Sequence, residues 1–316
     1  MIAFLIIHYK NEQTTINCIN SILNNGNKKY LIFLLDNSEK ENKLEGLYKN
    51  NEKIRYYKSE INLGFAKGNN FLIEKTKKYN EVKNILFLNN DTIIEKEFVD
   101  KVYKKLDENN TKYFYFQTNS LDNPEKIDSI GIEFTTSGVA FNKIKKIRKT
   151  FCPMGACMLY KKELIEELIE KHGYFFDEDY FCYAEDLDVG FRSLLLGYKP
   201  EFIETMVMHK GSDSTSKMSD FAIYHSYRNI EWTIRKNYPT NLLIKYFLRI
   251  KIAKLGIILN SLHKKNYKIY KKAYKDAKKS RKIMNYKRKI IQKHKKIQNK
   301  ELLTFFTKTL YSKDYI

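Results

Sequence analysis

The 316-residue chain has no run of eighteen or more uncharged apolar residues, which excludes an ordinary transmembrane helix. Its four cysteines, Cys18, Cys152, Cys157 and Cys182, form no CxxC pair and no zinc-ligand spacing. Such a set suits a reduced, cytosolic chain. Walker and GxGxxG phosphate loops are absent, as is any serine–histidine signature of a covalent nucleophile. The opening MIAFLIIHYK has no basic segment ahead of it and no small-residue cleavage site, so it reads as a first strand and not a signal peptide. No internal repeat is visible in the body. Hydrophobic residues nevertheless make up 43% and charged residues 30%, enough for a packed core and against global disorder.

Acidic residues are scarce in one place. Residues 241–316 carry 23 Lys and Arg against 3 Asp and Glu, a net +20, whereas residues 1–240 carry 35 against 34, a net +1. The asymmetry marks a boundary near Pro239 between a nearly neutral body, 1–238, and a basic, mostly helical region, 239–316.

Strand and helix signals alternate over the first 120 residues. Apolar runs at 2–7, 31–35 and 85–88, and a thinner one at 53–58, predict strands covered on both faces. Helical spacing predicts helices over 11–23 and 66–78. This order argues for an α/β fold with a doubly wound, largely parallel sheet. Ligands of such sheets sit beyond the carboxyl ends of the strands. Three polar clusters, at 8–12, 36–38 and 89–92, fall at such ends. Further on, 113–117 reads as a strand, 162–171 as an amphipathic helix and 187–195 as another, ended by Gly197.

Four motifs carry chemistry. Asn89-Asn90-Asp91 follows a buried strand; it is either an ordinary Asx turn or a carboxylate held for a hard divalent cation. The run 62–70, NLGFAKGNN, puts two glycines and three amides at a helix mouth, where an anion is favoured; the plain alternative is a loop with a cap. Six carboxylates crowd residues 177–188 and must be solvated, capped or paired with cations. Glu185 and Asp186 stand at a helix start, where the dipole favours the ionised form that a general base needs; the alternative is an N-cap in a solvated acidic loop. His209 ends an apolar run and is either a metal or phosphate ligand or a satisfied structural residue. For His8, His172 and His225 the sequence offers no partner.

The order and spacing of these segments resemble the family 2 glycosyltransferases, in particular the rhamnosyltransferase-like branch that builds bacterial surface glycans. The matching stretches are IIHYKN near the start, LLDNS, INLGFAKGNN, LFLNNDT, PMGACMLYKKE, GYFFDEDYFCYAEDLDVGFR and VMHKGSDS, spread over residues 2–214. The resemblance implies a GT-A fold and an inverting transfer from a dTDP-, UDP- or GDP-linked sugar to a glycan or polyprenyl-linked acceptor. By position, Tyr9, Asp36, Asn62, Gly64, Phe65, Gly68, Asn69, Asn89 and Asn90 would contact the donor, Asp36 at the base. Asp91 would hold Mg2+ or Mn2+ with His209 as a further contact, and Asp186 would be the catalytic base, helped by Glu185. Two departures stand out: Asn89 replaces the first aspartate of the DxD motif, and Lys10 stands where the family has Asn after the first-strand tyrosine.

The stretch 242–259 is apolar yet broken by Lys245, Arg249, Lys251 and Lys254, as in a helix lying in a membrane interface. It reads equally as a helix packed back on the body. Residues 264–300 interleave lysine with tyrosine; a membrane surface is the expected partner of 242–300, ahead of nucleic acid. The sequence thus predicts a cytoplasmic glycosyltransferase peripheral to the inner face of the plasma membrane. The rival reading is an inactive GT-A-like protein acting through its basic tail.

Overall fold

The computed structural model describes residues 1–26, 28–108, 110–146, 149–211 and 218–310. The chain opens with β1 (Ile2–His8), α1 (Glu12–Leu23), β2 (Tyr30–Asp36), the short α2 (Leu44–Tyr48), β3 (Ile54–Lys58), α3 (Gly64–Thr76) and β4 (Asn84–Leu88). These four strands lie parallel in the order β3-β2-β1-β4. β1, β2 and β4 are almost wholly buried because helices cover both faces, which is why their sequences are continuous apolar runs and not alternating ones. α1 starts where it does because Asn11 accepts a hydrogen bond from the Thr14 amide at 3.2 Å.

The second half departs from the doubly wound pattern. After β5 (Thr92–Ile94) and α4 (Phe98–Glu108) come β6 (Tyr113–Ser120), the short β7 (Ile127–Ser129), β8 (Ile132–Thr135), β9 (Ala140–Asn142) and β10 (Cys157–Lys161). They are followed by α5 (Lys162–His172), α6 (Glu185–Leu195) and β11 (Pro200–His209). The main sheet continues β4-β10-β6-β11-β5, with β10 antiparallel to both neighbours and β11 antiparallel to β5. The result is a mixed, largely parallel sheet between two apolar layers. One is centred on Phe4, Ile32, Leu86 and Phe98, the other on Leu5, Phe33, Phe87 and Tyr160.

The body ends with α7 (Asp220–Asn237), and the basic C-terminal region forms α8 (Thr240–Lys245), α9 (Phe247–His263), α10 (Tyr267–Lys279), α11 (Arg281–Lys293), α12 (Asn299–Leu302) and β12 (Phe306–Thr307). No helix among the described residues is long and apolar enough to cross a membrane. Much of this region takes the packed alternative. Ile291, Ile297, Leu302, Phe305 and Phe306 join Phe134, Phe151 and Phe191 in a third core, and β12 adds a strand to β8. Burying five side chains of this size is worth about 1.5–3 kcal/mol each, so these tail elements hold the body together.

Candidate active site

β1 and β2 end side by side, with His8 opposite Asp36, and β4 ends beside β1, so the three polar clusters meet on one edge. α1 links two of them: Thr15 Oγ1 lies 2.7 Å from His8 Nδ1 and accepts from Asn90 Nδ2 at 2.9 Å. His8 is fully buried, and that burial lowers its pKa, so it serves as a neutral strut. Tyr9, just past the end of β1, is 43% exposed, with the Lys10 ammonium 5.1 Å from its ring centre.

Asp36 is enclosed. Its carboxylate accepts from the Ser38 amide and hydroxyl, Asn42 Nδ2 and the Tyr56 hydroxyl, all within 3.0 Å. Burial raises its pKa, but these bonds outweigh burial and leave it below the ordinary carboxylate value. It organises the loop at 37–42, and a contact to a ligand requires one of these bonds to be given up.

The run 62–70, read as the mouth of a helix expected from 66, enters α3 already at Gly64, so 64–70 are the first two turns of the helix itself. Gly64 has φ +70°, and a Cβ there would lie 2.6 Å from the Phe181 carbonyl oxygen. That oxygen accepts from the Phe65 and Ala66 amides at 2.8 and 3.0 Å, so these two donors at the helix N-terminus are already used. Gly68 faces the sheet, where a Cβ would meet Ile7, and Asn69 is buried, its Nδ2 donating to the Phe65 carbonyl. Asn62 ties the turn by accepting from Asn37 Nδ2 and the Gly64 amide at 2.8 Å each.

The six carboxylates are each accounted for differently. Asp177 and Asp188 share the buried ammonium of Lys236; Asp188 also pairs with Arg192 at 2.9 Å, and Asp177 with Lys287. Lys287 reaches Asp179 as well, at 2.7 Å, and Glu178 accepts from Asn70 Nδ2. The cations come from α6, α7 and α11. Asp186 accepts from the Gly155 amide at 2.8 Å and the Leu187 amide at 2.7 Å. Burial raises its pKa against these two bonds. Glu185 is the opposite of the ionised group expected from the helix dipole. Burial first, and then the adjacent Asp186 charge, push its pKa well up, and its Oε2 has no hydrogen-bond partner among the described residues. Desolvation of a fully enclosed carboxyl exceeds what a helix terminus returns.

The segment before Glu185 is strained. Phe181, Tyr183 and Ala184 have φ of 64°, 69° and 62°, costing about 1–3 kcal/mol each. Asn229 on α7 holds them: its Nδ2, with two hydrogens to share, lies 2.7 to 3.0 Å from the carbonyl oxygens of Tyr180, Cys182 and Tyr183. His225 lies against Phe181 and within hydrogen-bond reach of Arg228, which donates to the Asp179 and Tyr180 carbonyls.

A two-residue stretch joins the acidic helix start to the Asn89 turn. Gly155 donates to Asp186, and the next carbonyl, Ala156, accepts from the Asn89 amide at 3.0 Å. A Cβ at Gly155 would lie 3.1 Å from Asp186 Oδ2, which explains the glycine.

On the other side of the turn, the end of β11 pairs with the start of β5, placing His209 opposite Thr92. His209 Nε2 lies 3.5 Å from Asp91 Oδ1, a buried oxygen with no well-formed hydrogen bond among the described residues, and Nδ1 lies 2.9 Å from Asp128 Oδ2. Burial disfavours a charged His209, but Asp128 and Asp91 carry its pKa up to about 9. A divalent cation here would have to displace the proton on His209 Nε2; the Asp91 oxygen and the imidazole, its far nitrogen fixed by Asp128, then offer it two ligands. No group of three His, Cys, Asp or Glu arranged to hold a metal occurs among the described residues, so such an ion would take its remaining ligands from water or phosphate oxygens. Residues 212–214 of the VMHKGSDS motif lie outside the described residues.

Sequence reasoning missed Gly155, Asp128, Asn229 and Lys236. Gly155 stood inside the PMGA motif and was visible; the other three sit in segments without a local cue. A cleft of about 620 Å³ lined by Met1, Lys83, Asn84 and Lys161 opens at the opposite, amino edge of the sheet, far from these groups.

No curated protein matches the chain in sequence. Solved structures do match in fold. GalNAc-T7 with UDP, GalNAc and Mn2+ superposes with a TM-score of 0.59 at 12% identity, over 87% of this chain. This chain spans only 55% of that one. S. aureus TarS 1-349 in complex with UDP-GlcNAc gives 0.56 at 16% identity, over 93% of this chain and 88% of its own. The fold is therefore GT-A-like, and the family model for glycosyl transferase family 2 matches residues 4–169, more than half the chain. The chain belongs to glycosyl transferase family 2.

Proposed function

We propose that this protein is an inverting, metal-dependent glycosyltransferase that moves a sugar from a dTDP-, UDP- or GDP-linked donor to a glycan or polyprenyl-linked acceptor, at the inner face of a bacterial plasma membrane. The rhamnosyltransferase-like run of motifs supports a role in surface polysaccharide synthesis. The observation that carries the reading is the Gly155-Ala156 link: one short segment fixes both a carboxylate at a helix start and the Asn89-Asn90-Asp91 turn.

In this reading Asp186 takes the proton from the acceptor hydroxyl. The Gly155 and Leu187 amides orient its oxygens, and partial burial lifts its basicity toward the working pH. Burial and the Asp186 charge push the Glu185 pKa well up, which favours Asp186 as the charged member of the pair. Asp91 and His209 would hold Mg2+ or Mn2+, with Asp128 fixing the ring of His209. Such an ion, when bound, neutralises charge on the departing diphosphate. Tyr9 offers an exposed ring beside the nucleotide. Asn62, Gly64 and Phe65 shape the wall, while Gly68 and Asn69 act from behind it by seating α3 on the sheet.

The test is thermal stability against UDP-, dTDP- and GDP-sugars with and without Mn2+. The expected result is a metal-dependent rise for one nucleotide class; no rise with any of them, together with no donor hydrolysis, would leave the inactive rival. Asp91→Ala should abolish the Mn2+-dependent part of that rise. An unchanged metal response would move the cation elsewhere. Asp128→Asn should weaken Mn2+ binding, read directly by titration, about 10- to 100-fold. Affinity unchanged by Asp128→Asn would reduce Asp128 to a fold contact.

A further inference from the structure

α9 is apolar on two faces. Its inner face is seated on the body by Ile250, Ala253 and Ser261, all at most 5% exposed, and by bonds from Arg249 to Thr136 and from Lys254 to Glu231. The outer face carries Leu248, Ile252, Leu255, Leu259 and Leu262 at 71, 53, 57, 58 and 52% exposure. Their spacing of four, three, four and three residues lines them along one stripe, and Ile244 and Phe247 extend it at 71 and 55% exposure. Because the inner face is anchored, the helix cannot roll to hide the stripe. A contiguous apolar surface of this kind marks an interaction site.

Charge identifies what covers it. α9 contains Arg249, Lys251 and Lys254 and no acidic residue, and the chain from Asn241 onward carries 23 basic and 3 acidic residues. The same spacing would suit a seam between two helices. Such a seam in a second copy would set cations against cations, however, with no Glu or Asp in α9 to relieve them. Lys245 and Lys251 instead flank the stripe, and the exposed face of α10 presents Lys268, Lys271, Lys272 and Lys275. A helix with an apolar face bordered by cations lies at the boundary of headgroups and acyl chains. Each cation near an anionic surface multiplies binding by about fivefold.

We propose that the outer face of α8 and α9, from Ile244 to Leu262, is a membrane-docking surface selective for anionic lipid. The inference deepens the peripheral-membrane part of the reading above and rests on it, independently of the transfer chemistry.

The full-length protein is compared with Leu248→Gln/Leu255→Gln/Leu259→Gln by co-sedimentation with phosphatidylcholine vesicles and with vesicles containing phosphatidylglycerol. Wild type should sediment with the anionic vesicles, and the triple variant should bind them at least roughly tenfold less. These positions are exposed, so the variant should keep the wild-type melting temperature. The proposal is overturned if wild type ignores anionic vesicles, if it binds neutral ones equally well, or if the variant binds as wild type does. It is also overturned if wild type forms a dimer that the variant converts to monomer, which would assign the stripe to a second copy. Nucleotide-sugar binding is followed in parallel. Its absence with vesicle binding intact would sink the transferase reading and leave the docking surface standing.

Discussion

Asp186→Asn is expected to lower the rate of sugar transfer about a thousandfold while leaving donor affinity within about twofold of wild type. Asparagine is nearly isosteric and keeps one oxygen to accept from Gly155 or Leu187, so the helix start and the loop beneath it should hold their shape. What it loses is the ability to accept a proton from the acceptor hydroxyl. A donor titration and a turnover assay on the same preparation separate the two effects. Comparable loss of donor binding would remove the assignment of Asp186 as base and make it part of the nucleotide wall. Glu185→Gln is the informative companion. Burial pushes the Glu185 pKa up and disfavours its charged form, so the amide substitution should leave the rate far less affected than Asp186→Asn.

Lys236→Met is expected to destabilise the fold by about 3 kcal/mol, a drop of roughly 5 °C in melting temperature. Lys236 is fully buried, and its ammonium is shared by Asp177 and Asp188. Methionine fills the volume but leaves two buried carboxylates with one cation fewer. Arg192 still serves Asp188 and Lys287 still serves Asp177, which is why the loss should fall at the lower end of the range for a broken buried pair. A loss below about 1 kcal/mol would show that the remaining cations suffice.

The effect should also depend on pH. Asp177 and Asp188 are held below their ordinary value of 3.8, so the stability they contribute is present above that value and fades as pH falls through their folded values. The gap between wild type and Lys236→Met should therefore narrow in acid. Lys236 itself is raised well above 10.5, so its contribution is complete below that value and lost only above it.

The same network explains why the basic region is not a separable tail. From that region Lys287 reaches Asp177 and Asp179 in the acidic loop that precedes the candidate base, beside Lys236 of the body. A small part of the charge asymmetry in the sequence is thus compensation inside the molecule. The rest is displayed on the surface around α9 and α10.

The sequence by itself determined the first half of the sheet almost to the residue. Strands read at 2–7, 31–35 and 85–88 appear as Ile2–His8, Tyr30–Asp36 and Asn84–Leu88. Strands buried on both faces must be continuously apolar, and their polar ends announce themselves; that is local information. It also marked Asp91, Asp186 and His209, because short-range motifs record the residue types that site chemistry needs.

Only the tertiary structure decided how those residues are held. Antiparallel insertion of β10 carries Gly155 and Ala156 between Asp186 and Asn89, and β7 brings Asp128 behind His209. The raised pKa of Glu185 was also beyond local reading, since a helix start favours charge while enclosure opposes it. Whether residues 242–259 pack or face outward had the same cause. The helix does both, and which face is anchored depends on partners such as Thr136 and Glu231, distant in sequence. Burial and pairing are sums over neighbours from the whole chain, and no window of the sequence contains them.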